Sequence, residues 1–200
     1  MNLTAPFLAA DFYQNRFREY FTRTVTVDPA PFLTPLTRNL ENGAAVLDVG
    51  CGSGRDLLWL KERGFKPVGF ERSPGLADLA RAHSGCRVIT GDFEHFDFSA
   101  FSVAAVMACG SLVHVPHQRL SPVIRHILQA LSPGGFFFVS LKKGGNTKVD
   151  NSGRTFYLWE PEQLADLWPD LGLTIHHVSA SRSALNSKDD WLAWVLRLTP

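Results

Sequence analysis

Three short segments of the 200-residue chain carry residue types that could hold a ligand. The first is Val46-Leu47-Asp48-Val49-Gly50-Cys51-Gly52-Ser53-Gly54-Arg55-Asp56, an apolar run that enters a loop with glycine at every second position. Lacking Cβ atoms, Gly50, Gly52 and Gly54 let the backbone turn sharply and lie close to a ligand. A helix beginning just beyond them would point its free N–H groups at that ligand. The spacing is G-x-G-x-G rather than the dinucleotide fingerprint G-x-G-x-x-G. Arg55 stands where the third glycine would be, which sets aside an NAD-dependent dehydrogenase. The second segment, Val68-Gly69-Phe70-Glu71, ends in an acid 23 residues after Asp48, where a carboxylate could accept both hydroxyls of a ribose. The third, Val88-Ile89-Thr90-Gly91-Asp92-Phe93, offers Asp92 to an adenine amino group, with an apolar neighbour to cover the ring. Singly, each is equally at home in a tight loop or at a solvated strand end. At three successive strand ends they describe a nucleoside site, because open α/β sheets bind ligands at the C-terminal ends of their strands.

Further along, His114 and His117 follow an apolar run, and Lys142, Lys143, Lys148 and Arg154 gather after another. His114 reads as a general base or substrate contact, or equally as a capping or packing histidine. The cations read either as a solvated loop or as an anion-binding rim for a carboxylate or oxyanion substrate, with Lys142 and Arg154 its best candidates. Cys109 reads as a buried, inert thiol.

The elements that must position these groups follow from periodicity. An aromatic segment at residues 6–22, with Phe7, Phe12, Tyr13, Phe17, Tyr20 and Phe21, has near-helical spacing, and a second short helix is expected at 31–40. Strands are expected at 45–49, 67–70, 87–90, 103–108 and 136–141, alternating with helices at 56–63, 75–83 and 120–131. Such alternation implies βαβ units and a parallel sheet covered on both faces. A polar stretch to residue 153, a helix at 161–168 and strands at 173–179 and 191–198 close the chain, suggesting a final hairpin with an antiparallel strand added to the sheet edge. One domain is expected over 1–200, with an N-terminal helical segment at 1–43 and a cofactor-binding α/β core at 44–200.

The motifs LDVGCGSGRD, GFERSP, GDF and LSPGGFFFVSLK resemble those of class I S-adenosylmethionine-dependent methyltransferases, from about Tyr13 to Arg197. The resemblance implies a Rossmann-like three-layer sandwich with a seven-stranded, mostly parallel sheet, a reversed last strand and an aromatic N-terminal helical lid. It also implies S-adenosyl-L-methionine as cofactor. Carried over, Asp48, Gly50, Gly52 and Gly54 would contact the methionine part, Glu71 the ribose, and Asp92 with Phe93 the adenine. Cys51, Arg55, Arg72 and Ala108 would lie beside them, and Tyr13 and the pair Arg23-Thr24 match the segment that closes over the site. Ser111-Leu112-Val113-His114-Val115-Pro116, Ser140-Leu141-Lys142 and Gly153-Arg154-Thr155-Phe156 resemble a bacterial small-molecule subgroup labelled tellurite-resistance-like, which usually has Asp at position 71.

Methyl transfer from a sulfonium is an in-line displacement in which the cofactor brings the reactive group. The protein aligns the partners and excludes water, so no conspicuous dyad is needed. His114, Lys142 and Arg154 are the candidates for catalysis or acceptor binding, and no metal is implied. Trp159, beside Arg154, could line a pocket. Alternatives are an RNA or protein methyltransferase, or a non-catalytic S-adenosylmethionine-binding regulator.

Composition bounds these readings. The chain has 20 Lys+Arg against 19 Asp+Glu, 45% hydrophobic residues and 20% charged ones. That excludes a disordered chain and disfavours nucleic acid, whose binders usually carry a basic excess. Cys51, Cys86 and Cys109 have no paired spacing, which excludes a disulfide framework and fits a reducing cytoplasm. No signal peptide or membrane-length apolar run is present. The expectation is a cytoplasmic monomer or weak homodimer acting on a small-molecule methyl acceptor, neutral or anionic.

Overall fold

The computed structural model describes residues 8–185 and 188–199. The expected helix start at residues 6 and 7 lies outside them. The rest of that aromatic segment forms two helices in place of one, α1 (Leu8–Asn15) and α2 (Phe17–Thr24). Arg16 leaves helical geometry at φ −119°, ψ 28°, and the break lets Tyr13 and Tyr20 meet edge to face at 5.0 Å. A third helix, α3 (Ala30–Thr37), leads into the alternating core.

The core runs β1 (Ala45–Val49), α4 (Arg55–Glu62), β2 (Lys66–Glu71), α5 (Pro74–Ser84), β3 (Val88–Thr90), β4 (Val103–Cys109), α6 (His117–Ile127) and β5 (Leu131–Lys142). Then come β6 (Thr147–Val149), β7 (Thr155–Tyr157), α7 (Pro161–Asp170), β8 (Leu173–Arg182) and β9 (Asp190–Leu198). Seven strands form one sheet in the order β3-β2-β1-β4-β5-β9-β8. Strands β1 to β5 pair in parallel, and β9 runs antiparallel to both its neighbours. This is the expected fold.

The alternation of side chains along each strand builds the two faces. On β4, Val106 and Ala108 join Leu120 and Ile124 of α6 and Trp168 of α7, while Ala105 and Met107 join Leu33 and Leu36 of α3 and Leu60 of α4. The closing hairpin is not simply appended. Strand β9 is inserted between β5 and β8, and β8 becomes the edge. Burial gives the reason, since Leu192 to Leu196 are buried in succession and so have both faces covered, whereas β8 is exposed along most of its length.

The stretch expected to be merely polar contains a hairpin, β6 paired antiparallel with β7 from Thr147↔Tyr157 to Val149↔Thr155. Asp150 makes its turn, accepting from the backbone N–H groups of Ser152 (2.9 Å) and Arg154 (3.1 Å).

Candidate active site

The C-terminal ends of β1, β2 and β4 open into a cleft walled by Gly50, Gly52, Glu71, Cys109 and Ser111. Its floor is the glycine loop. Gly50 has φ +78°, its N–H donates to the Phe70 carbonyl at 2.7 Å, and a Cβ there would sit 2.3 Å from Ser111 Cβ. Gly54, at φ +74°, caps α4 against the backbone of Ala80, which a Cβ would meet at 2.9 Å. Only glycine meets both demands, a left-handed backbone and close approach.

Glu71, at the end of β2, is buried and accepts from the N–H groups of Gly52 (3.0 Å) and Ser73 (2.9 Å). Burial raises its pKa, and the N–H groups of Ser73 and Gly52 oppose that rise. Ser73 also caps α5 through Leu76 N–H. Asp48 is 1% exposed, and neither carboxylate oxygen has a hydrogen-bond partner among the described residues. Burial, then the nearby Asp56 carboxylate, pushes its pKa well above the ordinary range, with Arg55 opposing. At the third strand end, Phe93 and Arg72 line the cleft, and Arg72 pairs with Asp92 at 3.1 Å. Asp92 also accepts from Glu94 N–H at 3.0 Å.

Tyr13, Gly50, Gly52, Glu71, Arg72, Phe93 and His114 are thus brought to one wall system. Several expected residues are not. Arg55 is held by its neighbour Asp56 at 2.6 Å and stacks on Phe32 at 5.1 Å. Arg23 is exposed, and Thr24 donates to the Tyr20 carbonyl at 2.9 Å. Ala108 is fully buried in the sheet, and Cys51 packs beneath Gly69. Trp159 is buried against His117, with ring centroids 4.6 Å apart.

Tyr20 and Ser111 are among the wall residues not singled out as site residues from the sequence. Tyr20, part of the aromatic segment, lies against Gly52, where a Cβ would stand 3.3 Å from its ring. Ser111 buries in the wall a hydroxyl oxygen with no hydrogen-bond partner among the described residues. The aromatic segment signalled the first, and the second opens the Ser111–Pro116 segment that carries a resemblance but assigns the serine no role.

His114 is bonded on both sides. Its Nδ1 lies 2.5 Å from the Thr155 carbonyl, and its Nε2 3.0 Å from the Tyr13 hydroxyl. A carbonyl only accepts, so Nδ1 carries the proton and Nε2 accepts from Tyr13. Burial lowers the pKa of His114 to about 4, with Arg154 and Lys142 pushing the same way and the Thr155 hydrogen bond opposing.

Three cations of the expected anion-binding rim have carboxylate partners. Lys142 and Lys148 both bind Asp189 at 2.7 Å, and Arg154 binds Asp150 at 2.7 Å. Burial raises the pKa of Asp189, but the hydrogen bonds from Lys142 and Lys148 outweigh it and the net shift is downward. An anionic acceptor would have to compete with carboxylates already in place. Lys142 also lies 3.8 Å from the Phe156 ring. Asp189→Ala would leave that buried ammonium without its carboxylate, and is expected to cost about 3 kcal/mol in urea denaturation.

Among the described residues no group of His, Cys, Asp or Glu could hold a metal ion, and no helix is long and apolar enough to cross a membrane.

Comparison with known proteins gives this geometry a context. Residues 46–135 match the family model described as a methyltransferase domain. A sterol 24-C-methyltransferase of Debaryomyces hansenii is 32% identical over 161 residues, covering 69% of this chain and 41% of that protein. A tRNA (carboxymethyluridine(34)-5-O)-methyltransferase of Saccharomyces cerevisiae is 31% identical over 154 residues, covering 70% of this chain and 50% of that protein. The chain therefore spans half or less of the length of these curated relatives. Among solved structures, the Burkholderia thailandensis 1,6-didemethyltoxoflavin-N1-methyltransferase, with 1,6-didemethyltoxoflavin and S-adenosylhomocysteine bound, superposes with a TM-score of 0.78 at 23% identity, covering 100% of this chain and 93% of that one.

Proposed function

We propose that this chain belongs to the class I S-adenosylmethionine-dependent methyltransferases and moves the cofactor's methyl group to a small-molecule nucleophile. The observation that carries the reading is the convergence of the glycine loop, Glu71 and Phe93 on one cleft from three successive strand ends.

The residues present fit S-adenosylmethionine. Gly50 and Gly52 bring backbone to the cleft wall, the Asp48 carboxylate and Ser111 hydroxyl are buried without partners among the described residues, and Phe70, Leu76 and Phe93 offer apolar walls to a base. Asp48 and the loop would hold the amino-acid end, Glu71 the ribose, and Phe93 with the Arg72–Asp92 pair the adenine. When bound, the cofactor supplies an electrophilic methyl group. The chain's own work is to align the acceptor and keep water out, which Tyr13 and Tyr20 do from the N-terminal helices.

The small-molecule acceptor, and with it the tellurite-resistance-like subgroup, draws support from the segment around His114 and from the didemethyltoxoflavin enzyme's likeness. The yeast tRNA relative carries the rival reading, an RNA acceptor. The near-neutral charge and the carboxylate-paired cations after β5 weigh against it. Calorimetry with S-adenosylhomocysteine is expected to show one site of micromolar affinity, and no binding would overturn the proposal. Formation of S-adenosylhomocysteine from S-adenosylmethionine in a metabolite extract separates an enzyme from a regulator that only binds.

A further inference from the structure

His114 is the obvious base at the cleft, yet it has no nitrogen to offer. Nδ1 is engaged by the Thr155 carbonyl and Nε2 by the Tyr13 hydroxyl. The phenol is the group with capacity left. A tyrosine hydroxyl has one proton and two lone pairs. The proton goes to His114, one lone pair takes a long hydrogen bond of 3.4 Å from Arg154 Nη1, and the other has no partner among the described residues, on a residue that lines the cleft.

Resting on the methyltransferase reading, we propose that Tyr13 is the catalytic group that receives the acceptor's proton, that His114 acts through it as the proton store, and that the acceptor is a neutral nitrogen nucleophile bearing an N–H. In the transfer, an acceptor nitrogen lone pair forms the new bond to the methyl carbon. The electron pair of the broken S–CH3 bond stays on sulfur, which becomes a neutral thioether, and the positive charge passes to the methylated acceptor. That charge makes the acceptor's N–H acidic. Its proton goes to Tyr13 Oη as the tyrosine's own proton goes to His114 Nε2, leaving neutral product and an imidazolium that donates from both nitrogens. Loss of the proton to solvent after product release restores the starting state.

Charge decides against the other acceptor classes. His114 faces Tyr13, Phe156 and the Thr155 carbonyl, with Arg154, Lys142 and Asp150 the charges acting on it. Burial and the two cations make its imidazolium unfavourable while a sulfonium is also present, so it cannot strip a phenol or alcohol beforehand. Once the methyl group has moved, the sulfonium charge is gone and the imidazolium merely replaces it. A carboxylate needs no base, and the nearby cations Arg154 and Lys142 are occupied by Asp150 and Asp189.

The test uses the full chain, methyl-labelled S-adenosylmethionine and three probes, benzimidazole, phenol and benzoate. The wild type is expected to methylate benzimidazole and neither of the others. Tyr13→Phe is expected to lower kcat on benzimidazole about 100-fold, with S-adenosylhomocysteine affinity retained and Tm lowered by the loss of the donor to His114 Nε2. His114→Gln, which can still accept from Tyr13 but cannot store a proton, should lose as much. The double variant should be no worse than either single one. Full kcat in Tyr13→Phe or His114→Gln, preference for phenol or benzoate, or no turnover of benzimidazole by a protein that binds S-adenosylhomocysteine would each overturn this assignment. Failure of the wild type to bind S-adenosylhomocysteine would instead overturn the reading beneath it.

Discussion

Gly50→Ala is expected to lower S-adenosylhomocysteine affinity by about 100-fold or more and to reduce stability as well. The residue holds φ +78°, a region that costs a residue with a Cβ about 1–2 kcal/mol. The new methyl group would also stand 2.3 Å from Ser111 Cβ, so either the loop or the segment after β4 must move. Both form the cleft wall, and a displaced loop no longer presents its backbone to the ligand. Gly64→Ala is the matched control. Gly64 has a similar φ of +84°, but nothing lies within 4 Å of its added Cβ. It should lose only the backbone-strain part of the stability and keep full affinity. Calorimetry and thermal melts on the two variants separate the contributions, and equal affinities would show that the close approach at Gly50 does not shape the site.

Asp48→Asn is expected to move stability and binding in opposite directions. The carboxylate is buried without a hydrogen-bond partner among the described residues, and its folded-state pKa is raised. A raised carboxyl pKa means that the folded state binds the proton more tightly than the unfolded chain. Stability is therefore highest below the ordinary aspartate value of about 4 and falls as pH rises toward the folded-state pKa. At neutral or alkaline pH the cofactor-free protein carries that cost, which asparagine removes. The variant should melt about 2–4 °C higher, the shift that 1 kcal/mol produces in a domain of this size. The advantage should vanish at acid pH. Cofactor affinity should fall about tenfold, since an anion facing a cationic ligand contributes about 1.4 kcal/mol even when well screened. A variant that melts lower at pH 8, or binds as tightly, would contradict this account.

The residues that approach the cofactor cleft were readable because their signals are local. Asp48, the glycine triplet and Glu71 lie where an apolar strand stops, and strand ends are visible in period and punctuation. The β6–β7 hairpin was missed although Thr-Lys-Val and Thr-Phe-Tyr flank Asp-Asn-Ser-Gly, because three-residue strands carry too few side chains to show alternation. The pairing of the cationic loop was not legible for a different reason. Lys142 and Arg154 are plain in the sequence, but Asp189 lies 47 residues beyond Lys142, and no local pattern links them.

By itself the sequence determined the alternation of β1 to β5 with α4 to α6, the loop that must be glycine and the acids at the strand ends, because each depends on neighbours a few residues away. Only the tertiary structure decided which charges are neutralised, where β9 enters the sheet and which nitrogen of His114 holds its proton. Tyr13 and His114 are 101 residues apart, and Arg154 and Tyr13 are 141 apart. A hydrogen-bond chain of that kind exists only when packing brings distant segments within about 3 Å, and hydrogen-bonding capacity, unlike periodicity, leaves no trace along the chain.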